Sequence, residues 1–231
     1  MKRTNHHVDV FVVGAGAAGL KAALTLLEHN ESLKVGIVVK GRLGKCGTTA
    51  NAVSDRMAFH STLSYTPPAG KKNWRYHADD IFKIGRYVSD RPLAEILAKE
   101  SEEAVRYLDE AGVPFVRERD GRLHQFVTDG SVYPRACYTG PFTAIDIEKA
   151  LLKKLAMHRP DIYEGCVIAD ILIDRKGRVC GAVAVDGGKN LHLFHCRFVV
   201  LATGGAGSIF EDNCYPAGMT GDGYALSLIH I

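Results

Sequence analysis

Hydrophobic positions fall into three kinds of pattern along this chain. Val8 to Val13, interrupted only by Asp9, and Val35 to Val39 are short apolar runs rich in β-branched residues. Such runs predict strands buried on both faces, as in a parallel sheet. Between them, Leu20, Ala23, Leu24 and Leu27 recur at helical spacing, so residues 20–29 predict a helix with one apolar stripe. Strand, helix and strand in this order make a βαβ unit, for which a right-handed crossover is close to obligatory.

Residues 41–75 are rich in Gly, Ser, Thr, Asn, Pro and Lys and show no strong period. A compact domain seldom carries so long an irregular stretch without a functional reason. Helical spacing returns over Leu93–Ala111, where Leu93, Ile96, Leu97, Ala104, Leu108 and Ala111 form one stripe and Gly112 marks the stop. Thr143 is a candidate cap for a further helix, with Asp146 in its first turn and Leu151, Leu152 and Leu155 on its apolar face. From Ile162 the period becomes that of strands. Residues 166–174, 179–186 and 191–201 are joined by turns at 175–178 and 187–188. They predict a small antiparallel meander within 162–198 whose last strand carries on into the main sheet. The fold class expected is therefore α/β: one Rossmann-like domain over 1–231, with a parallel sheet and a small antiparallel β-meander.

Composition narrows the function classes. The chain has 231 residues, is 46% hydrophobic and 24% charged, and carries a formal charge of +3, so it has no basic excess that would argue for nucleic acid. No apolar run approaches the roughly 18 residues of a membrane span, and the N-terminal segment lacks a signal-peptide pattern. The six cysteines form no Cys-x-x-Cys and are spaced for neither a disulfide framework nor a zinc site. These features imply reduced thiols and a cytoplasmic protein. The isolated His6, His7, His60, His77 and His124 show no metal-ligand spacing. Arg86, Arg91 and Arg135 could face an anion, although solvated or paired arginines are commoner, and Tyr65, Trp74 and Tyr76 read as anchors of a long loop.

The chemistry resides in the glycine turns. Gly14-Ala15-Gly16-Ala17-Ala18-Gly19 follows a predicted strand and opens a predicted helix, the context a dinucleotide-binding fingerprint requires. There Gly14 serves the tight turn, Gly16 the approach of a pyrophosphate, and Gly19 close helix–strand packing, with the helix N-terminus offering N–H groups and a positive dipole end. The acidic residue expected about 20 positions further on is missing. Val39 and Lys40 stand there instead. Lys40 either contacts a phosphate or ribose or is simply solvated, and plain NAD binding becomes less favoured. A second turn, Ala202-Thr203-Gly204-Gly205, ends an apolar strand, and Thr220-Gly221-Asp222-Gly223 follows it. Asp222 suits either a cofactor hydroxyl or a helix N-cap.

Together these segments resemble the fumarate reductase/succinate dehydrogenase flavoprotein family, which also includes L-aspartate oxidase. The likeness runs through Val12 to Leu20, Gly44 to Ala50, Gly85 to Phe115, Arg135-Ala136-Cys137, Leu201 to Gly207 and Thr220 to Gly223. The resemblance implies FAD as cofactor. It places contacts at Gly14, Gly16, Ala17, Ala18, Lys40, Thr48, Thr49, Ala50, the backbone of Val167, Ala202, Thr203, Gly204 and Asp222. It implies hydride transfer between flavin N5 and a small anionic substrate in the intact protein, and a possible electron-transfer partner. Membrane-bound members attach FAD through a histidine just before the threonine of the second-strand loop. Gly47 stands there, so the flavin is expected to be noncovalent. No His-Pro-Thr-Gly motif, the family's catalytic mark, occurs in the chain. The expectation is thus an FAD-binding portion without its capping domain, inactive alone. An L-aspartate oxidase-like member or an incompetent nucleotide-binding fragment remain open alternatives. Residues 226–231 depart from the small, alanine-rich helix expected there and read like the translation of a sequencing adapter.

Overall fold

The structure is a computed structural model and describes residues 1–230. In chain order the elements begin with strand β1 (Arg3–His7), β2 (Val10–Val13), helix α1 (Ala17–His29), β3 (Val35–Val39), the single turn α2 (Thr48–Asn51) and β4 (Phe59–His60). Next come α3 (Trp74–Ile84), α4 (Arg91–Glu110), β5 (Gln125–Phe126), β6 (Ala136–Cys137) and α5 (Thr143–Leu155). The chain closes with β7 (Asp161–Glu164), β8 (Cys166–Ile173), β9 (Val179–Asp186), β10 (Leu191–His195), β11 (Phe198–Leu201) and α6 (Asp222–His230). It divides into two compact units, one of residues 1–51 and 151–231, the other of residues 52–150.

The first unit holds two sheets. Its parallel sheet has the order β11-β2-β3-β7, with Val12 paired to Ile37 on one side and Val200 on the other. Every residue of β2 and β3 is buried, which explains their unbroken apolar runs. Leu20, Ala23, Leu24 and Leu27 of α1 are buried together with Gly19, as the helical spacing predicts. The second sheet has the order β1-β10-β9-β8. Its strands β8, β9 and β10 are antiparallel, and β1 joins the edge parallel to β10. The predicted run 191–201 is broken at Cys196–Arg197, so β10 stays with the antiparallel sheet and β11 enters the parallel one. Strand β1 has no counterpart in the sequence reading: Arg3-Thr4-Asn5-His6-His7 is polar throughout.

The second unit pairs α3 with α4 beside a three-stranded sheet of order β4-β6-β5, each strand two residues long. The position of α4 matches the prediction within two residues, but of the predicted stripe only Leu108 is among its buried residues. Ala94, Ala98, Ser101, Val105 and Leu108 face inward, whereas Leu93, Ile96 and Leu97 are 64%, 50% and 55% exposed. Small residues let a neighbouring helix approach closely, so the face with least apolar bulk is the one that packs. Trp74 and Tyr76, read as loop anchors, belong to α3, while the Tyr65 hydroxyl donates to the Leu123 carbonyl at 3.2 Å. Thr143 opens α5, but not as a conventional cap. Its hydroxyl accepts the Thr139 N–H at 3.0 Å and reaches the Gly140 and Met57 carbonyls at 2.8 and 2.9 Å.

Candidate functional site

The two ends of the chain meet at the C-terminal edge of the parallel sheet. β2 runs into Gly14, whose N–H donates to the Val38 carbonyl at 2.9 Å. The Ala202 N–H, just past β11, donates to the Val13 carbonyl at 2.8 Å. Gly14 takes a φ of +105°, and a Cβ there would lie 2.2 Å from the Ala202 oxygen. A Cβ on Gly19 would lie 2.0 Å from the Gly14 oxygen. One glycine therefore permits the turn between neighbouring strands, and the other lets α1 sit directly on it. The Gly221 N–H donates to the Gly205 carbonyl at 3.1 Å, binding the second glycine turn to the start of α6.

Between these turns lies a cavity of about 890 Å³, within the usual range for a large bound ligand. Most of the residues the sequence singled out line it: Gly14, Gly16, Ala17 and Ala18 at the head of α1, Lys40 after β3, and Thr48 and Thr49 in α2. Val167, Ala202, Thr203, Gly204 and Asp222 complete this set. Gly19 lies beneath the turn rather than on the cavity wall, which is the packing role its spacing implies, and Ala50 lies off the wall as well. Cys46, Met219 and Tyr224 also line the cavity. Cys46 lies within the Gly44–Ala50 segment and Tyr224 directly follows Gly223, whereas no local pattern marks Met219.

Electrostatics concentrate at one corner. Lys40 Nζ lies 2.7 Å from Thr220 Oγ1, 3.0 Å from Asp222 Oδ2 and 3.4 Å from the Gly218 oxygen. The Thr220 hydroxyl donates to the other Asp222 oxygen at 2.6 Å. Burial alone would raise the Asp222 carboxyl, but the Thr220 hydroxyl and the Lys40 ammonium outweigh it and hold the group below the usual carboxylate range. Asp222 is thus a carboxylate at neutral pH and the first residue of α6, where the helix dipole favours negative charge. At the opposite wall the first-turn amides of α1 lack intrahelical acceptors and suit an anion. Thr49 Oγ1 accepts the Ala17 N–H at 3.2 Å, and the buried Thr48 hydroxyl has no partner among the described residues.

Other candidates lie elsewhere. Arg135 is 3% exposed and donates to Asp80 at 2.8 Å in the second unit. His77 sits nearby with its ring 3.2 Å from the Thr62 hydroxyl. Burial, reinforced by Arg135 and His60, drives its pKa down to about 3, so His77 is a neutral hydrogen-bond partner. Arg91 pairs with Asp79 and Glu95, and Arg86 is exposed. Burial pushes the Cys137 and Cys196 thiols up to about 11, which makes them inert. Among the described residues no group of His, Cys, Asp and Glu has the geometry to hold a metal ion, and no helix is long and apolar enough to cross a membrane. Residues 226–230 continue α6, with Leu226 buried, while Ile231 lies outside the described residues.

A glycine-turn α/β unit with a cavity at the strand ends defines a dinucleotide-binding protein. The chain belongs to the family described as FAD binding domain, whose profile matches residues 9–230, and its likeness to fumarate reductase and succinate dehydrogenase flavoproteins is to their N-terminal portion. A fumarate reductase (CoM/CoB) subunit from Methanothermobacter marburgensis is 29% identical over 98% of this chain and 40% of its own length. An L-aspartate oxidase from Streptomyces coelicolor is 32% identical over 95% of this chain and 37% of its own. A solved structure of the Mycobacterium smegmatis Sdh1 complex superposes with a TM-score of 0.85 at 29% identity, over 100% of this chain and 39% of that one. The chain therefore spans about two fifths of the length of these relatives. FAD is the cofactor of this family, and the site fits it. The cavity is large enough, the helix terminus suits a pyrophosphate, and the unpartnered Thr48 hydroxyl offers a hydrogen bond.

Proposed function

We propose that this chain is the flavin-holding part of an oxidoreductase, and that its residues bind and orient FAD noncovalently. The observation that carries the reading is the one cavity lined together by the α1 glycine turn, Lys40, Thr48 and Asp222. The α1 turn, built of Gly14, Gly16, Ala17 and Ala18, receives the pyrophosphate on its dipole and on the amides that Val38 and Thr49 do not already hold. Lys40 and Asp222 answer the polar edge of the cofactor, while Thr48, Thr49 and the backbone of Val167, Ala202, Thr203 and Gly204 hold its remaining length. Gly47, at a φ of +85°, has open space where a Cβ would stand and presents no imidazole for a covalent link.

When bound, the flavin supplies the hydride-exchanging centre of the reaction. The named relatives act on fumarate, succinate or L-aspartate, all small dicarboxylates. We propose a substrate of that class, and an electron-transfer partner, for the intact protein. These residues span about two fifths of the relatives' length, so substrate turnover is proposed for the intact protein and flavin binding for the residues described. The test is the visible spectrum of the purified protein, followed by acid precipitation. A flavin spectrum whose colour moves to the supernatant supports the reading. Protein that stays colourless after addition of FAD overturns it, and colour retained in the pellet overturns noncovalent attachment.

A further inference from the structure

We propose that β1 is a proton-released edge strand, held on β10 by the hydrogen-bonded chain Asp186–His192–His6 while at most one of the two imidazoles is charged, and freed by a second proton. The proposal is independent of flavin binding. The two strands pair in parallel, with Thr4 opposite His192, His6 opposite Phe194 and His7 opposite His195. His6 Nε2 lies 3.0 Å from His192 Nδ1, and His192 Nε2 lies 3.2 Å from Asp186 Oδ2. The His6 ring also stacks on Phe194 at 4.7 Å and meets Tyr163 edge-on at 4.7 Å. On the other face of the strand, His7 stacks on His195 at 4.7 Å, and His195 Nε2 lies 3.4 Å from Asn5 Oδ1.

Proton counting makes this chain a switch. With both rings neutral, His192 donates to Asp186 from Nε2 and accepts at Nδ1 the proton of His6 Nε2. With one proton added, His192 donates at both ends, to Asp186 and to His6. With a second proton both facing nitrogens carry hydrogen, and the 3.0 Å contact becomes a repulsion between two cations. A carboxylate stands at one end of this chain, and the surroundings of His6 at the other resist a proton there. Asp186 is held near a pKa of about 2 by its hydrogen bonds from Asn190 and His192, so it stays a carboxylate. Burial and His192 lower His6, His7 lowers it further, and only Asp161 opposes them. On the opposite face of the strand pair stand His7 and His195, and Arg3, opposite Leu191, is a fixed positive charge on the same strand.

The test is amide hydrogen exchange of the whole chain at about pH 7.5 and about pH 5, on either side of the ordinary histidine pKa, corrected for intrinsic rates. The reporter is the peptide over residues 3–8, including Val8, whose N–H donates to the His195 carbonyl at 3.0 Å. Protection there is expected to fall about tenfold in acid, the scale of one lost hydrogen bond, while β2 is unchanged. His6→Phe keeps the ring stack and removes the titration, so its protection should be the same at both pH values; His192→Phe is the second variant. Equal wild-type protection at both pH values overturns the proposal, as does an equal acid loss in either variant. Should both variants lose the strand at every pH, an imidazole NMR titration of the wild type decides. Two coupled steps support the clasp, and independent single steps overturn it.

Discussion

Lys40 and Asp222 stand 3.0 Å apart although 182 positions separate them in the chain. The pair joins the end of β3 to the start of α6 at the rim of the cavity. Both side chains are about one-third exposed, so the ion pair contributes little to folding, on the order of 1 kcal/mol or less. We propose that its value lies in meeting a polar ligand, because both groups line the cavity.

Lys40→Ala is therefore expected to leave the melting temperature within a few degrees of wild type. Flavin affinity should fall about tenfold to a hundredfold, the scale of a charge-assisted hydrogen bond. Calorimetric melting and a flavin fluorescence titration separate the two. A variant that melts early but binds FAD normally would make Lys40 a structural residue and remove it from the proposed site.

Gly14 and Gly16 should part company when each is replaced by alanine. At Gly14 the φ of +105° and the 2.2 Å approach to the Ala202 oxygen leave no room, and the neighbour is backbone. Gly14→Ala should cost at least about 3 kcal/mol or abolish folding. At Gly16 φ is −76° and a Cβ would meet only the Thr49 hydroxyl at 3.3 Å. Gly16→Ala should fold and lose flavin affinity, because the methyl group occupies the wall where the cofactor approaches. Circular dichroism with flavin titration checks both, and a Gly16→Ala protein that binds FAD as wild type does would contradict the assigned role.

The difference between the legible and illegible parts of this chain is physical. β2, β3 and α1 declare themselves because their burial is apolar and continuous, and the glycine turn that ends β2 is local in sequence. In the second unit the place of α4 is legible but its packed face is not, because several of its inward positions are small or polar. Ala94, Ala98 and Ser101 pack inward on α4 while Leu93, Ile96 and Leu97 face out. Strands of two residues, such as β4 and β6, have no period to read. β1 is polar throughout, so its pairing with β10 leaves no apolar period in the sequence. On the cavity wall, the Gly14 to Ala18 turn and Asp222 follow from motif spacing, Lys40 and the Cys46 loop from the family likeness, whereas Met219 reaches the cavity only through tertiary structure.

The buried pair of Asp80 and Arg135 in the second unit gives a contrasting case to Lys40 and Asp222. With side-chain exposures of 5% and 3%, neither group can be rehydrated in place if the other is removed. Arg135→Met is expected to cost about 3–5 kcal/mol, because it strands the Asp80 carboxylate. Asp80→Leu combined with Arg135→Met should recover a large part of that loss. Urea unfolding of the two single variants and the double variant measures the coupling, and strictly additive costs would show that the pair acts as two independent packing residues.

Glu148 gives the chain a pH dependence of its own. The residue is 2% exposed on α5, and neither carboxylate oxygen has a hydrogen-bond partner among the described residues. Burial raises its pKa from 4.5 to about 7. The folded form thus holds a proton that the unfolded chain releases, so the sign of the effect is fixed. Stability carries no penalty from this group below about pH 4.5, falls as pH rises towards 7, and levels off above that. The whole change amounts to about 3 kcal/mol. Glu148→Gln removes the titration, so its unfolding free energy should lose this slope and exceed that of wild type at pH 8 by an amount of that order. Urea midpoints measured for both proteins from pH 4 to 8 check the prediction, since the two curves should converge in acid and separate in base. Parallel curves across the range would mean that Glu148 is ionised in the fold and that its carboxylate finds a partner.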